Sequence, residues 1–188
     1  MLNDEIFREY DVRGIVDRDL YPEIVYNLGR SIGTYAILHR VRTMTLGMDC
    51  RLSSKTYCEV LGKGINSTGI DVINVGLCAT PMLYFSIRHL HAGGGVMITG
   101  SHNPPEYNGF KICIGTDTIY GQDIQALRKI MESGQYASGD GNVRQEDISR
   151  PYEDYLFNNV TINKLNIVLD AGNGVGGLFA LPLLKRLG

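Results

Sequence analysis

Thr99-Gly100-Ser101-His102-Asn103-Pro104-Pro105-Glu106-Tyr107-Asn108-Gly109-Phe110-Lys111 concentrates a hydroxyl, an imidazole, an amide and an amine in one short stretch. It follows the apolar run Gly95 to Thr99, and open α/β sheets place ligands at the carboxyl ends of their strands. Gly100 is expected to free the backbone before Ser101, while Pro104 and Pro105 prevent a helix after Asn103. The Ser101 hydroxyl is therefore predicted on a stiff, exposed loop. Gly, Ser, Asn and Pro are also ordinary turn residues, so a purely structural loop is the competing reading.

Two chemistries suit an exposed serine. The acyl-transfer elbow G-x-S-x-G is not matched, because Thr99 and Asn103 stand where its glycines belong and His102 adjoins the serine instead of reaching it from elsewhere. A hydroxyl that carries a phosphoryl group needs cations and a metal to neutralise a dianion, and an acid–base group on the partner oxygen. Lys111 follows ten residues after Ser101, across a turn predicted at Asn108-Gly109.

The surrounding pattern supplies a frame for that loop. Thr43 to Met48 reads as a strand, Ser53-Ser54 as a helix cap, and the stretch through Ile65 to Gly69 as the helix itself. Ile70 to Gly76 is a second strand, Thr80-Pro81 opens a helix carrying Leu83, Ile87 and Leu90, and Gly95 to Thr99 is a third strand. This β-α-β-α-β alternation predicts a mixed, mostly parallel sheet sandwiched by helices. Pro22 to His39 carries Ile24, Leu28, Ile32 and Tyr35 on one helical face, and Gln122 to Glu132 reads as a further helix. A reversal at Asn108-Gly109 would make Phe110 to Ile114 antiparallel.

Residues 133–150 turn polar and glycine-rich, which sets a predicted boundary between a domain over 1–150 and a segment over 151–188. That segment reads as a linker helix from Pro151, a strand over Asn166 to Asp170, and a Leu-rich helix towards Gly188. One such β-α unit cannot bury its own faces, so it is expected to be the truncated start of a second, similar domain.

The match to known sequences extends beyond one loop. Thr99 to Lys111 resembles the phosphoserine loop of the α-D-phosphohexomutases, in particular the phosphomannomutase/phosphoglucomutase branch. Phe7-Arg8-Glu9-Tyr10-Asp11-Val12-Arg13-Gly14 resembles the amino-terminal motif of that family, and Gly47-Met48-Asp49-Cys50-Arg51-Leu52-Ser53-Ser54 its G-x-D-x-R-x-S-[SG] motif. The three motifs stand in the family's order.

The resemblance implies that Ser101 is phosphorylated at rest, donates its phosphoryl group to a hexose phosphate and recovers one from the opposite end of a hexose 1,6-bisphosphate. It implies that Lys111 is general acid or base, that Arg13 and Tyr10 lie at the same cleft, and that His102 and Asn103 complete the loop. Magnesium is implied as well, with the Ser101 phosphate as one ligand. The family's D-x-D-x-D-R metal loop has no counterpart here, so the remaining ligands and most sugar contacts are expected from downstream domains, and this chain alone is expected not to turn over substrate. Asp49 and Arg51 either contact the cleft or, the favoured reading, support the loop from behind.

Composition excludes several other classes. Of 188 residues 44% are hydrophobic and 20% charged, and the net charge is −2, without the basic excess of a nucleic-acid binder. Eleven scattered tyrosines form no stacking platform. No apolar run is long enough to span a membrane, and the acidic opening after Met1 is unlike a signal peptide, so a cytoplasmic location is expected. Asn66-Ser67-Thr68 and Asn159-Val160-Thr161 carry no weight as glycosylation sites in that setting. Cys50, Cys58, Cys78 and Cys113 fit reduced, mostly buried thiols. His89 and His91 lack partners for a metal site, and His39 reads as a surface residue. Gly172-Asn173-Gly174-Val175-Gly176-Gly177 matches G-x-G-x-x-G, but the acidic partner of a dinucleotide site is missing, which favours a structural turn. The rival functions are a phosphoglucosamine mutase, a non-catalytic sugar-phosphate-binding domain and a serine hydrolase.

Overall fold

The computed structural model describes residues 2–163 and 165–187; Met1 and Gly188, which bound the sequence reading at either end, and Lys164 lie outside the described residues. A short helical turn, Asp4–Ile6, precedes β1 (Val12–Ile15) and α1 (Pro22–Leu38). Then follow β2 (Thr43–Met48), α2 (Ser54–Asn66), β3 (Asp71–Leu77), α3 (Thr80–His89) and β4 (Gly94–Ile98). After the Ser101 loop come β5 (Tyr107–Ile114), β6 (Asp117–Thr118), α4 (Gln122–Ser133), β7 (Val143–Gln145), α5 (Ser149–Asn159) and α6 (Gly176–Leu187).

The strands form one sheet in the order β1-β5-β4-β2-β3-β7, with β6 beside β5. β2, β3, β4 and β7 pair in parallel, whereas β5 runs antiparallel to β1, β4 and β6. The mixed, mostly parallel sheet is therefore as predicted, with β5 the strand that runs against the rest. Alternate side chains enter two cores: Val96 and Ile98 join the larger one with Leu28, Leu61 and Leu127, while Met97 joins the smaller with Ile73, Met82 and Leu83. Period-two alternation puts neighbours on opposite faces, and helices cover both. Each fully buried Leu or Ile there contributes about 1.5–3 kcal/mol.

Three local expectations need correction. Asn108-Gly109 lies inside β5, and the reversal falls earlier, between Ile98 and Tyr107. The two prolines and the side chains that bind the loop make the turn, and Asn108 is freed for a buried structural role. Ser53 makes no side-chain cap on α2; its Oγ accepts a hydrogen bond from Asn108 Nδ2 at 2.8 Å. Asn166 to Asp170 forms no strand; Ile167 and Val168 are exposed and no neighbouring strand pairs with this segment among the described residues. An unpaired strand leaves its backbone groups without partners, so apolar sequence alone does not create one. Apart from these corrections, the polar stretch after Ser133 carries β7, an edge strand paired with β3, and is followed by α5, which begins at Ser149.

The last helices pack on the smaller core side. Phe85 of α3 meets Tyr152 and Tyr155 of α5 with ring centroids 5.4 Å apart. Arg186 of α6 bonds Asp154 and lies 4.2 Å over the Phe157 ring. Among the described residues no helix is long and apolar enough to cross a membrane.

Candidate active site

Chain reversal after β4 delivers Ser101 to the carboxyl edge of the sheet. Ser101 is exposed and adopts φ +52°, a left-handed conformation that a residue with a Cβ rarely takes. Its N–H donates to Thr99 Oγ1 at 2.9 Å, and its Oγ lies 3.3 Å from His102 Nδ1. The positive φ falls on Ser101 and not on Gly100, so the expected reason for the glycine is revised. A Cβ at residue 100 would run into the Arg51 guanidinium, and Gly100 is needed for that close approach.

Arg51 holds the loop from within. Nη1 donates to the carbonyls of Pro104 (2.7 Å) and Tyr107 (2.9 Å), and Nη2 to those of Ser101 (3.1 Å) and Asn103 (2.6 Å). Nε lies 3.4 Å from Asp49 Oδ2, which also accepts from the Gly100 N–H at 3.3 Å. Asp49 Oδ1 in turn accepts from Ser54 Oγ at 2.6 Å, and Ser54 Oγ from the buried Asn108 Nδ2 at 3.0 Å. The supporting role favoured for Asp49 and Arg51 is the one their contacts perform. Spacing alone gives Asn108 and Ser54 no place at the site; a buried Asn beside two serines only arises once β5 lies across the start of α2.

A second cluster adjoins the loop on the β1 side. Asp11 and Arg13 share one face of the chain by period-two alternation, and the Val12↔Phe110 register sets Lys111 opposite Asp11. Arg13 Nη2 bonds the buried Asp11 carboxylate and Nη1 the Asn103 Oδ1, while Lys111 Nζ stands 3.9 Å from the same Asp11 oxygen. Asp11 stood inside a quoted motif without a role; it proves to be the anion that gathers both cations. Arg13, Lys111 and Asn103 are thus brought together. Tyr10 stands apart, exposed and tilted against Tyr120 with centroids 6.3 Å apart.

A cleft of about 660 Å³ opens beside Ser101, His102 and Asn103, bounded by Thr80 and Pro81 at the start of α3 and by Gly172 to Gly176. The Gly172-Asn173 turn has positive φ at both residues and leads directly into α6. That geometry meets the expectation of a structural turn, and among the described residues no strand leads into it as a dinucleotide site would require. The donor set for a metal is one-sided: Ser101 offers an oxygen, and among the described residues no group of three His, Cys, Asp or Glu side chains could hold an ion. His89 stacks on Phe85 at 4.9 Å, and His39 on Tyr35 at 4.2 Å. Cys58, Cys78 and Cys113 are buried, and Cys50 is exposed at the cleft.

Fold and site together define a three-layer α/β domain that presents a serine on a loop clamped by arginine. Residues 4–138 match the family described as phosphoglucomutase/phosphomannomutase, alpha/beta/alpha domain I, and the chain belongs to that family. A phosphoglucomutase of Neisseria gonorrhoeae is 46% identical over 187 residues, 98% of this chain and 41% of that protein. A phosphomannomutase/phosphoglucomutase of Pseudomonas aeruginosa is 41% identical, covering 97% of this chain and 40% of that protein. A solved phosphoglucomutase/phosphomannomutase family protein of Burkholderia thailandensis superposes with a TM-score of 0.95 at 32% identity, over 100% of this chain and 43% of that one. The chain thus spans about two fifths of the length of these relatives.

Proposed function

We propose that this chain is the phosphoserine-bearing part of an enzyme that interconverts hexose 1-phosphate and hexose 6-phosphate, with mannose or glucose as the sugar. The reading rests on the exposed, left-handed Ser101 on a loop that turns the carbonyls of Ser101, Asn103, Pro104 and Tyr107 to Arg51. Residues 1–150 form the domain that carries it, and 151–188 a linker helix and the opening of a second α/β unit. A cytoplasmic location suits such chemistry.

In the proposed reaction the phosphoryl group leaves Ser101 Oγ for a sugar hydroxyl, whose proton passes to Lys111. The resulting hexose 1,6-bisphosphate turns over, its other phosphoryl group passes to Ser101 Oγ, and Lys111 returns the proton to the freed sugar oxygen. Arg13 orients Asn103 and adds positive charge beside the loop, where a delocalised guanidinium suits a dianion. His102 completes the loop beside Oγ, and Tyr10 contributes to sugar binding from the rim. Magnesium would neutralise charge on the transferring group, and among the described residues the phosphorylated Ser101 oxygen would be its ligand, with the other ligands expected from downstream domains.

Assay of the full-length enzyme with glucose 1-phosphate, mannose 1-phosphate and glucosamine 1-phosphate tests the reading. Conversion of the first two to their 6-phosphates, abolished in Ser101→Ala, is expected. Conversion of glucosamine 1-phosphate alone would favour the phosphoglucosamine mutase, and binding without conversion the non-catalytic domain.

A further inference from the structure

Arg51 is read so far as a support, but its donors can be counted. A guanidinium carries five N–H bonds. The two on Nη1 go to Pro104 and Tyr107, the two on Nη2 to Ser101 and Asn103, and the one on Nε faces Asp49. Four are committed to loop carbonyls, the fifth stands beside a carboxylate at 3.4 Å, and the side chain is only 15% exposed. Neither Nη1 nor Nη2 keeps a hydrogen for a phosphate or a sugar, and Nε faces Asp49, so this arginine does not act as an anion-binding fork even though it lines the cleft.

What the four bonds do is fix the loop. Two of the acceptors, the Ser101 and Asn103 carbonyls, flank His102 and are turned inward together, which sets the chain direction at the serine itself. Ser101 is simultaneously held by its N–H on Thr99 Oγ1, and Gly100 by its N–H on Asp49. A left-handed serine costs free energy and persists only where surrounding contacts impose it. We infer that Arg51 is the positioning residue of the Ser101 loop, its fork holding Ser101 in the left-handed conformation that presents the hydroxyl to the cleft. Asp49 aligns the guanidinium, and Gly100 admits it. A lysine keeps the charge but has no planar fork to meet four carbonyls.

This inference rests on the proposed phosphomutase reading for what the hydroxyl does, and on contacts alone for what Arg51 does. The test compares wild type, Arg51→Lys and Arg51→Ala in the full-length enzyme by two readouts. The first is the rate of phosphoryl uptake at Ser101 from glucose 1,6-bisphosphate, followed by intact mass over a range of concentrations. Arg51→Lys is expected to lower the maximal rate about tenfold or more with half-saturation unchanged, and Arg51→Ala to lower it about 100-fold with partial rescue by methylguanidinium. The second is hydrogen exchange, with loop amides over 100–107 speeding up in both variants while those of β4 do not. Wild-type loop exchange in Arg51→Lys would overturn the inference, and so would a raised half-saturation at unchanged maximal rate, which marks a substrate-binding arginine. If Arg51→Ala fails to fold, Arg51→Lys decides. If wild type takes up no phosphoryl group, the functional reading fails, and the exchange comparison still decides the role of Arg51.

Discussion

Lys111 Nζ stands 3.9 Å from the carboxylate of Asp11, two residues that the antiparallel register of β1 and β5 sets face to face. The same carboxylate bonds Arg13, so one buried anion holds together the two cations expected to serve the phosphoryl group. Asp11→Asn leaves Arg13 and Lys111 facing each other across a neutral amide. A buried charged partner lost in this way costs about 1–3 kcal/mol, and urea denaturation is expected to show a lowered midpoint with an unchanged slope.

Gly100→Ala tests the approach of Arg51 to the loop. The new Cβ would collide with a guanidinium that four hydrogen-bonded carbonyls and the Asp49 carboxylate hold in place, so the arginine cannot swing aside without losing them. A loss of about 1–3 kcal/mol in stability is expected from such overpacking, measured by thermal or urea unfolding. An unchanged midpoint would mean that the clamp gives way freely.

The cysteines differ sharply in reactivity. Burial pushes the Cys58 and Cys78 thiols up to about 12 and raises Cys113 as well, so these three stay protonated and inert in the folded chain. Cys50 is exposed. Titration of the native protein with a chromogenic disulfide is expected to show one fast thiol from this segment, removed by Cys50→Ser, and all four after denaturation.

Acid stability has a local origin near the end of β1. The hydrogen bond from Arg18, then those from the Ile15 N–H and Asn3, hold the Asp19 carboxyl down at about 2 against an ordinary 3.8. A lowered carboxylate stabilises the fold fully above its unfolded value, and that contribution disappears as pH falls towards the folded one. Asp19→Asn is therefore expected to flatten the part of the stability profile that declines between pH 3.8 and about 2. A variant profile with the same slope there would contradict the assignment.

Periodicity and turn chemistry made most of the domain legible. Thr43 to Met48 coincides with β2, Pro22 opens α1, and Thr80-Pro81 opens α3, because each boundary follows from local sterics or one apolar face. What failed depends on partners distant in sequence. Asn166 to Asp170 has strand composition but pairs with no strand among the described residues, and Asn108-Gly109 has turn composition but is drawn into β5 by the pull of Ser53 and Ser54 on Asn108. The same limit applies at the site: Ser101 and its loop are readable from spacing, whereas the gathering role of Asp11 and the hold of Arg51 on four carbonyls exist only after the strands are ordered.

The phosphoryl-carrying role of Ser101 is tested most directly by mapping the covalent state of the full-length enzyme after exposure to glucose 1,6-bisphosphate. Intact mass followed by fragmentation is expected to find one added phosphoryl group on Ser101, absent from Ser101→Ala and removed on addition of excess hexose monophosphate. A phosphoryl group on another residue, or an unmodified Ser101 in an enzyme that nonetheless isomerises hexose phosphates, would contradict it.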